Sequence, residues 1–255
     1  IPAGVTDPGS TQRNRQVLRL RLNADYQLSE DFFAGFGIQT GNSSISGNQV
    51  FANGTATAGG GNGGSYNSNY NIFLSRVFLG WKPTPAITLV AGKQPNPIYA
   101  TDMTWDHDIN PTGFSERINL NKMFGFEGPE LTLVSLQNFV QDNNESTTSG
   151  ALNKRDSRDA WTQHTQLVIK TDIFPGYKLT FAPGYYCANP GKVKDNGQRS
   201  VQTLLGAAGR DTLGDLSIIT APGDVAFKVV DVPVKFLWDF AYNEAGLRRS
   251  AAISE

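Results

Sequence analysis

The sequence has little of what marks an enzyme or a stapled secreted domain. A single cysteine, Cys187, stands among 255 residues, so no internal disulfide can form, and no Cys/His grouping has the spacing of a structural zinc site. Only His107 and His164 could serve as near-neutral bases, and neither they nor Cys187 belongs to a clustered polar constellation of the kind catalysis needs. Neither catalysis nor a cofactor is expected. An excess of charge is missing too: 22 Lys+Arg against 23 Asp+Glu leave a net charge of -1, without the basic footprint of a nucleic-acid binder. No run approaches the roughly 18 apolar residues of a spanning helix, which excludes a helical membrane protein. No positively charged start followed by an apolar core opens the chain, so no signal peptide is expected in it.

What is present leans all-β. Only 18% of residues are charged, below the roughly 25% usual in soluble domains. The 27 glycines and 11% aromatic share favour turns and strands. A membrane β-barrel remains open, because strands that alternate apolar and polar residues average to an ordinary mean hydropathy such as the -0.32 found here.

Period-two alternation carries the architecture. From Gln16 to Gln27, Leu18, Leu20, Leu22, Ala24 and Tyr26 share one parity, and Arg19, Arg21, Asn23 and Asp25 the other. After Ser29-Glu30-Asp31 the pattern resumes with Phe32, Ala34, Phe36 and Ile38, giving a hairpin. Four more hairpins follow, over Tyr70–Trp81 with Ala86–Gly92, Arg117–Glu127 with Leu131–Gln141, Ala160–Asp172 with Tyr177–Cys187, and Asp224–Val230 with Val232–Asn243. About ten strands are therefore expected. Long connections separate these hairpins, over Gly41–Asn69, Lys93–Glu116, Asp142–Asp159 and Ala188 to about Asp215. Strict alternation of short and long connections is what outer-membrane barrels show, with short periplasmic turns and long external loops. The first strand then runs away from the long-loop end, and no terminal aromatic strand closes the chain. Residues 1–255 accordingly read as a single β-barrel domain, incomplete at both ends.

Specific segments resemble a known family. Trp81-Lys82-Pro83-Thr84-Pro85, Ala91-Gly92-Lys93-Gln94-Pro95-Asn96-Pro97 and Thr101-Asp102-Met103-Thr104-Trp105-Asp106, with Leu18 to Leu22 and the Pro233–Asn243 hairpin, resemble the putative porin family of Gram-negative outer membranes. The resemblance implies a closed transmembrane antiparallel barrel of about sixteen strands. It also implies passive diffusion of small hydrophilic solutes or ions, and a bacterial outer-membrane location among lipid and lipopolysaccharide. Analogy with general porins adds a homotrimer.

The two parities assign the chemistry. Leu18, Leu20, Leu22, Phe36, Ile38, Leu167, Ile169, Leu179, Phe181, Val225, Phe227, Val234 and Phe236 would meet acyl chains, with Tyr26, Trp81, Trp161, Tyr177, Tyr185, Trp238 and Tyr242 near strand ends as an aromatic girdle. The opposite parity carries Arg19, Arg21, Arg117, His164, Lys170, Lys178, Lys228 and Lys235, against Asp25, Glu127, Asp224 and Asp239. A charge facing hydrocarbon is costly, so these side chains should line water, and a basic wall would favour anions unless acidic residues neutralise it. The Gln94–Glu116 connection holds Asp102, Trp105, Asp106 and Asp108 and is expected to fold inward and constrict the pore.

Other patterns fail on chemistry. Asp106-His107-Asp108 opens like a calcium loop, but Pro111 stands where glycine is needed and Arg117 where a bidentate glutamate belongs. Gly59 to Gly64 matches a phosphate-binding pattern by letters alone, with no helix to follow. Two rival architectures remain: a structural barrel sheathing an electron-transfer partner, and a soluble lectin-like β-sandwich.

Overall fold

The computed structural model describes residues 17–41, 49–50, 71–101, 103–104, 109–141, 160–188 and 217–244. The chain divides into two compact units, Ile1–Ala24 with Gly37–Ser75, and Asp25–Phe36 with Arg76–Glu255.

In chain order the strands are β1 (Val17–Leu18), β2 (Arg21–Gln27), β3 (Phe32–Gly41), β4 (Gln49–Val50), β5 (Asn71–Thr84), β6 (Ile87–Lys93) and β7 (Thr112–Asn119). A short helix α1 (Leu120–Phe124) precedes β8 (Glu130–Gln141) and β9 (Ala160–Phe174). The remaining strands are β10 (Tyr177–Phe181), β11 (Gly184–Ala188), β12 (Ser217–Thr220), β13 (Gly223–Val229), β14 (Val232–Trp238) and β15 (Ala241–Asn243). The pairings of β1 with β4, of β5 through β10 in succession, and of β9 to β15 among themselves are antiparallel. In the first unit β1 pairs β4 through Val17↔Val50, and Leu20 exchanges hydrogen bonds with the Thr40 main chain and hydroxyl at 3.0 Å.

The main sheet has the order β14-β13-β10-β9-β8-β7-β6-β5-β3-β2, and off this path β11 pairs β9 and β12, and β12 pairs β15. The fold is all-β, as alternation predicts. Apart from a further break at Arg19-Leu20 between β1 and β2, the ten sequence-predicted strands map onto these elements once three interruptions are recognised, with β4 and β12 falling outside the predicted strands. Ala182-Pro183 separates β10 from β11, Ala221-Pro222 separates β12 from β13, and Asp239-Phe240 separates β14 from β15. The interruptions are stitched side by side, Ala182 N–H donating to Pro222 O at 2.9 Å and Ala221 N–H to Phe240 O at 2.8 Å. Proline has no N–H for a ladder, so two prolines at one level break adjacent strands together.

The sequence reading also placed a strand over Arg117–Glu127. The strand instead begins at Thr112 and ends at Asn119, where the chain turns helical. The Asn119 side chain caps α1 by accepting from Lys122 N–H, and Gly125, at φ 70°, closes the turn. Gly113 is required by close approach: a Cβ there would run into the Gln137 carbonyl oxygen of the neighbouring strand. In the second unit, aromatic rings lie over glycines of adjacent strands, Phe33 over Gly80 and Phe78 over Gly35.

Candidate functional site

Directly paired residues of antiparallel strands stand on the same face of a sheet, so the register sorts side chains without reference to composition. One row runs Thr88↔Arg117↔Val134↔Gln166↔Gly184↔Thr220. A parallel row runs Leu136↔His164↔Tyr186↔Ile218. Towards the short turns, Lys170↔Thr180↔Asp224 and Asp172↔Lys178↔Ala226↔Lys235 continue the same face, followed by Lys228 two positions beyond Ala226. Thus Arg117, His164, Lys170, Lys178, Lys228 and Lys235 share one face, as the parity argument requires. In the first unit, Arg19 and Arg21 are exposed. Asp102, Trp105, Asp106 and Asp108 lie outside the described residues, as does His107.

The opposite face is apolar and open. Leu167, Ile169, Leu179, Phe181, Val225, Phe227, Val234 and Phe236 stand on it by register. Leu79 on β5 is 51% exposed and Phe139 on β8 is 59% exposed. Rings gather near the short turns, with Phe32 stacked on Trp81 at 6.0 Å and Tyr177 on Phe227 at 5.1 Å. Of the girdle residues, Tyr26, Trp81, Tyr177, Tyr185 and Tyr242 are exposed, which suits amphipathic rings at a membrane–water boundary.

The charged face is covered, in part, by the chain between β6 and β7. Residues 94–101 lie against β7, β8 and β9, and their attachment is polar. Gln94 is 2% exposed and its Oε1 accepts from the Ser115 hydroxyl at 2.5 Å. Gln166, 1% exposed, makes three bonds: its Oε1 accepts from Tyr99 N–H at 2.9 Å, and its Nε2 donates to Tyr99 O at 3.0 Å and Ala182 O at 3.1 Å. The Ala182 carbonyl belongs to the proline-broken level, so the interruption supplies an acceptor to the loop's anchor. Arg117 Nη2 donates to Pro97 O at 3.0 Å. The Tyr99 hydroxyl donates to Asp224, and the Thr101 hydroxyl donates to Asp239. Burial, reinforced by the hydrogen bond to Asp224, raises the Tyr99 phenol well above its ordinary pKa, so it keeps its proton and remains a donor.

Acidic partners temper the basic wall. The buried Asp224 carboxylate also meets Lys235 Nζ at 3.3 Å, and Lys170 sits 3.8 Å from Glu130, both half exposed. Such an exposed pair holds little energy but does offset local field. Sequence reasoning overlooked Arg76, whose Nη2 reaches both oxygens of Asp25 at 3.1 and 2.9 Å. It also missed the neutral anchors Gln94, Tyr99 and Gln166. Arg76 shares its parity with Phe78, Gly80 and Lys82, a signal present in the alternation; the anchors carried none, since a glutamine on a water-facing parity looks like any other.

A cavity of about 200 Å³ lies where residues 96–100 and Thr104 meet this face, with Asn96, Asn138, His164 and Asp239 among its polar lining and Ile98 and Phe240 among its apolar lining.

Among the described residues the buried set is largely polar: Thr40, Ser75, Gln94, Thr101, Ser115, Thr132, Thr162, Gln166 and Asp224 are buried beside a small apolar cluster of Ile98, Val134, Leu136, Val168 and Ala182, while the exposed large side chains include Leu79, Phe114, Phe139 and Phe236. Polar groups turned inward and apolar ones outward on an antiparallel sheet define the class of strand-built outer-membrane channels. The family model described as Putative porin matches residues 6–210. The chain belongs to that family, whose general place is the outer membrane. No curated protein matches the chain.

Proposed function

We propose that this chain walls a passive diffusion channel for small hydrophilic solutes or ions in the bacterial outer membrane, working by steric and electrostatic filtering without a chemical step. One observation carries the reading: the face bearing Arg117, His164, Lys170, Lys178, Lys228 and Lys235 is the same face onto which Gln166, Asp224 and Asp239 pin the β6–β7 connection. A loop held on a charged wall narrows the path and sets the field a permeating ion meets. The wall favours anions through Lys178 and Lys228, with Lys170 and Lys235 partly offset by Glu130 and Asp224. To Asp102, Trp105, Asp106 and Asp108, which follow the pinned segment in sequence, we assign the constriction, with their negative charge offsetting the basic wall.

Planar-bilayer recording in a salt gradient tests this. Stepwise conductance with a reversal potential of the anion-selective sign is expected, and neutralising Asp102, Asp106 and Asp108 together should strengthen that selectivity. A folded barrel that never conducts would contradict the proposal and fit a sheath around a partner instead.

A further inference from the structure

The cavity beneath residues 96–100 owes its shape to the broken strands. Asp239 and Phe240 are the two residues that interrupt β14 and β15, and both line it, as does Pro222 from the break between β12 and β13. In a continuous strand, neighbouring side chains point to opposite faces, so one recess could not take both a carboxylate and the ring that follows it. His164 and Tyr186, paired in register and packed edge to face at 5.7 Å, add two more rings, and Ile98 and Ile218 add aliphatic surface. An apolar cavity of roughly 150 Å³ is enough to hold benzene. The volume here, about 200 Å³, therefore admits a ring or short aliphatic body with one polar head.

One carboxylate lines this recess, and it lacks a cation. Asp239 Oδ2 accepts from the Thr101 hydroxyl and, at 3.3 Å, from the Thr104 hydroxyl. Both donors are neutral, and a carboxylate offers about four acceptor positions over its two oxygens, so Oδ1 keeps its full capacity. Among the described residues Asp25, Glu130 and Asp224 each have a basic partner, whereas Asp239 has none. The basic wall does not supply one: Lys178, level with Asp172, and Lys228 stand nearer the short turns than Thr162 and His164, which line the recess on β9. A bare calcium ion would need about six or more oxygen ligands, which one carboxylate among largely apolar walls does not provide. An ammonium carried on an apolar body fits both halves of the lining, its N–H groups meeting Oδ1 and its body the rings.

We propose that this recess is a binding station for small organic ammonium solutes with an aromatic or aliphatic body, held briefly as they pass through the channel. The proposal rests on the reading of the charged face as the wall of a pore. Asp239 supplies the charge-assisted hydrogen bond, Tyr186 and Phe240 offer ring faces that attract a cation, and Ile98 and Ile218 take up the apolar body. The station deepens the channel's selectivity: anions are favoured along the lysine-bearing wall, and organic cations at the one place where an acid stands without a base.

The test uses the full chain in lipid vesicles and three probes that share one body and differ in the head: phenethylammonium, phenethyl alcohol and hydrocinnamate. Each is titrated calorimetrically, with protein-free vesicles as the blank. Phenethylammonium should bind saturably and about tenfold or more tighter than either of the others, the step expected of a hydrogen bond to a charged group. Asp239→Asn, which keeps a carbonyl oxygen for the two threonines, should remove that preference. Ile218→Trp, which fills the recess and leaves Asp239 in place, should weaken phenethylammonium and the alcohol alike. Heat-shifted gel mobility, the mark of a folded barrel, checks each variant, and the comparison of heads on the unsubstituted chain decides even if a variant does not fold. Equal binding of the three probes, preference for hydrocinnamate, or an ammonium preference that a folded Asp239→Asn chain retains overturns the station. Conductance in potassium chloride is recorded alongside: a conducting chain without the ammonium preference sinks the station alone, whereas a chain that binds phenethylammonium through Asp239 but never conducts sinks the channel reading and leaves the recess standing.

Discussion

On β9, Thr162, Gln166 and Val168 are buried, while Gln163, Leu167 and Ile169, one residue away in each case, are only partly covered. The same strand thus builds two environments at a period of two. On one side a polar loop is bonded to polar strand residues through Gln166, Asp224 and Ser115; on the other, aliphatic and aromatic side chains stand only partly covered. In a soluble sandwich the apolar side would be the buried one. The difference teaches that folding here has two separate supports. Backbone ladders hold the apolar side, which the proposed function turns to lipid, and side-chain hydrogen bonds hold the loop.

Changes that exchange the environments break this comparison most strongly. Leu167→Arg places a charge on the apolar face at mid-strand and should cost about 2–4 kcal/mol. Urea unfolding in lipid vesicles would read this, whereas a soluble protein would tolerate an arginine better at a position with this much water access. Next in size is Gln166→Leu, which leaves Tyr99 N–H, Tyr99 O and Ala182 O without their partner. Each unsatisfied buried group costs roughly 1–3 kcal/mol unless water enters, so partial release of the loop is expected, seen as a larger single-channel conductance with a modest drop in unfolding midpoint. The smallest effect is expected for Lys170→Gln. Its exposed pair with Glu130 contributes less than about 1 kcal/mol, so stability should hardly move while the reversal potential drifts slightly towards cations.

Alternation made the strands legible, because apolar and polar parity along Leu167–Ile173 or Val225–Phe236 is a local property of the chain. It also placed Arg117 and the lysines on one face. The helical turn Leu120–Phe124 was not legible, since Asn119 and Gly125 act as caps inside what reads as a continuing strand. The Ala182-Pro183, Ala221-Pro222 and Asp239-Phe240 interruptions were missed because each is ordinary alone and gains meaning from its neighbours in the sheet. The loop anchors were the least visible. Tyr99 and Gln166 are 67 residues apart, and Thr101 and Asp239 are 138 apart, distances at which residue spacing says nothing and only the register of the sheet brings partners together.

The orientation of the two faces is the central claim, and substituted-cysteine labelling on β9 tests it most directly. In a Cys187→Ser background, single cysteines at Ile169, Lys170, Thr171 and Asp172 would be exposed to a charged, water-soluble thiol reagent in vesicles. Rapid labelling at 170 and 172, with conductance reduced, and protection at 169 and 171 is the predicted result. Labelling of 169 and 171 in preference, or of all four alike, would contradict it.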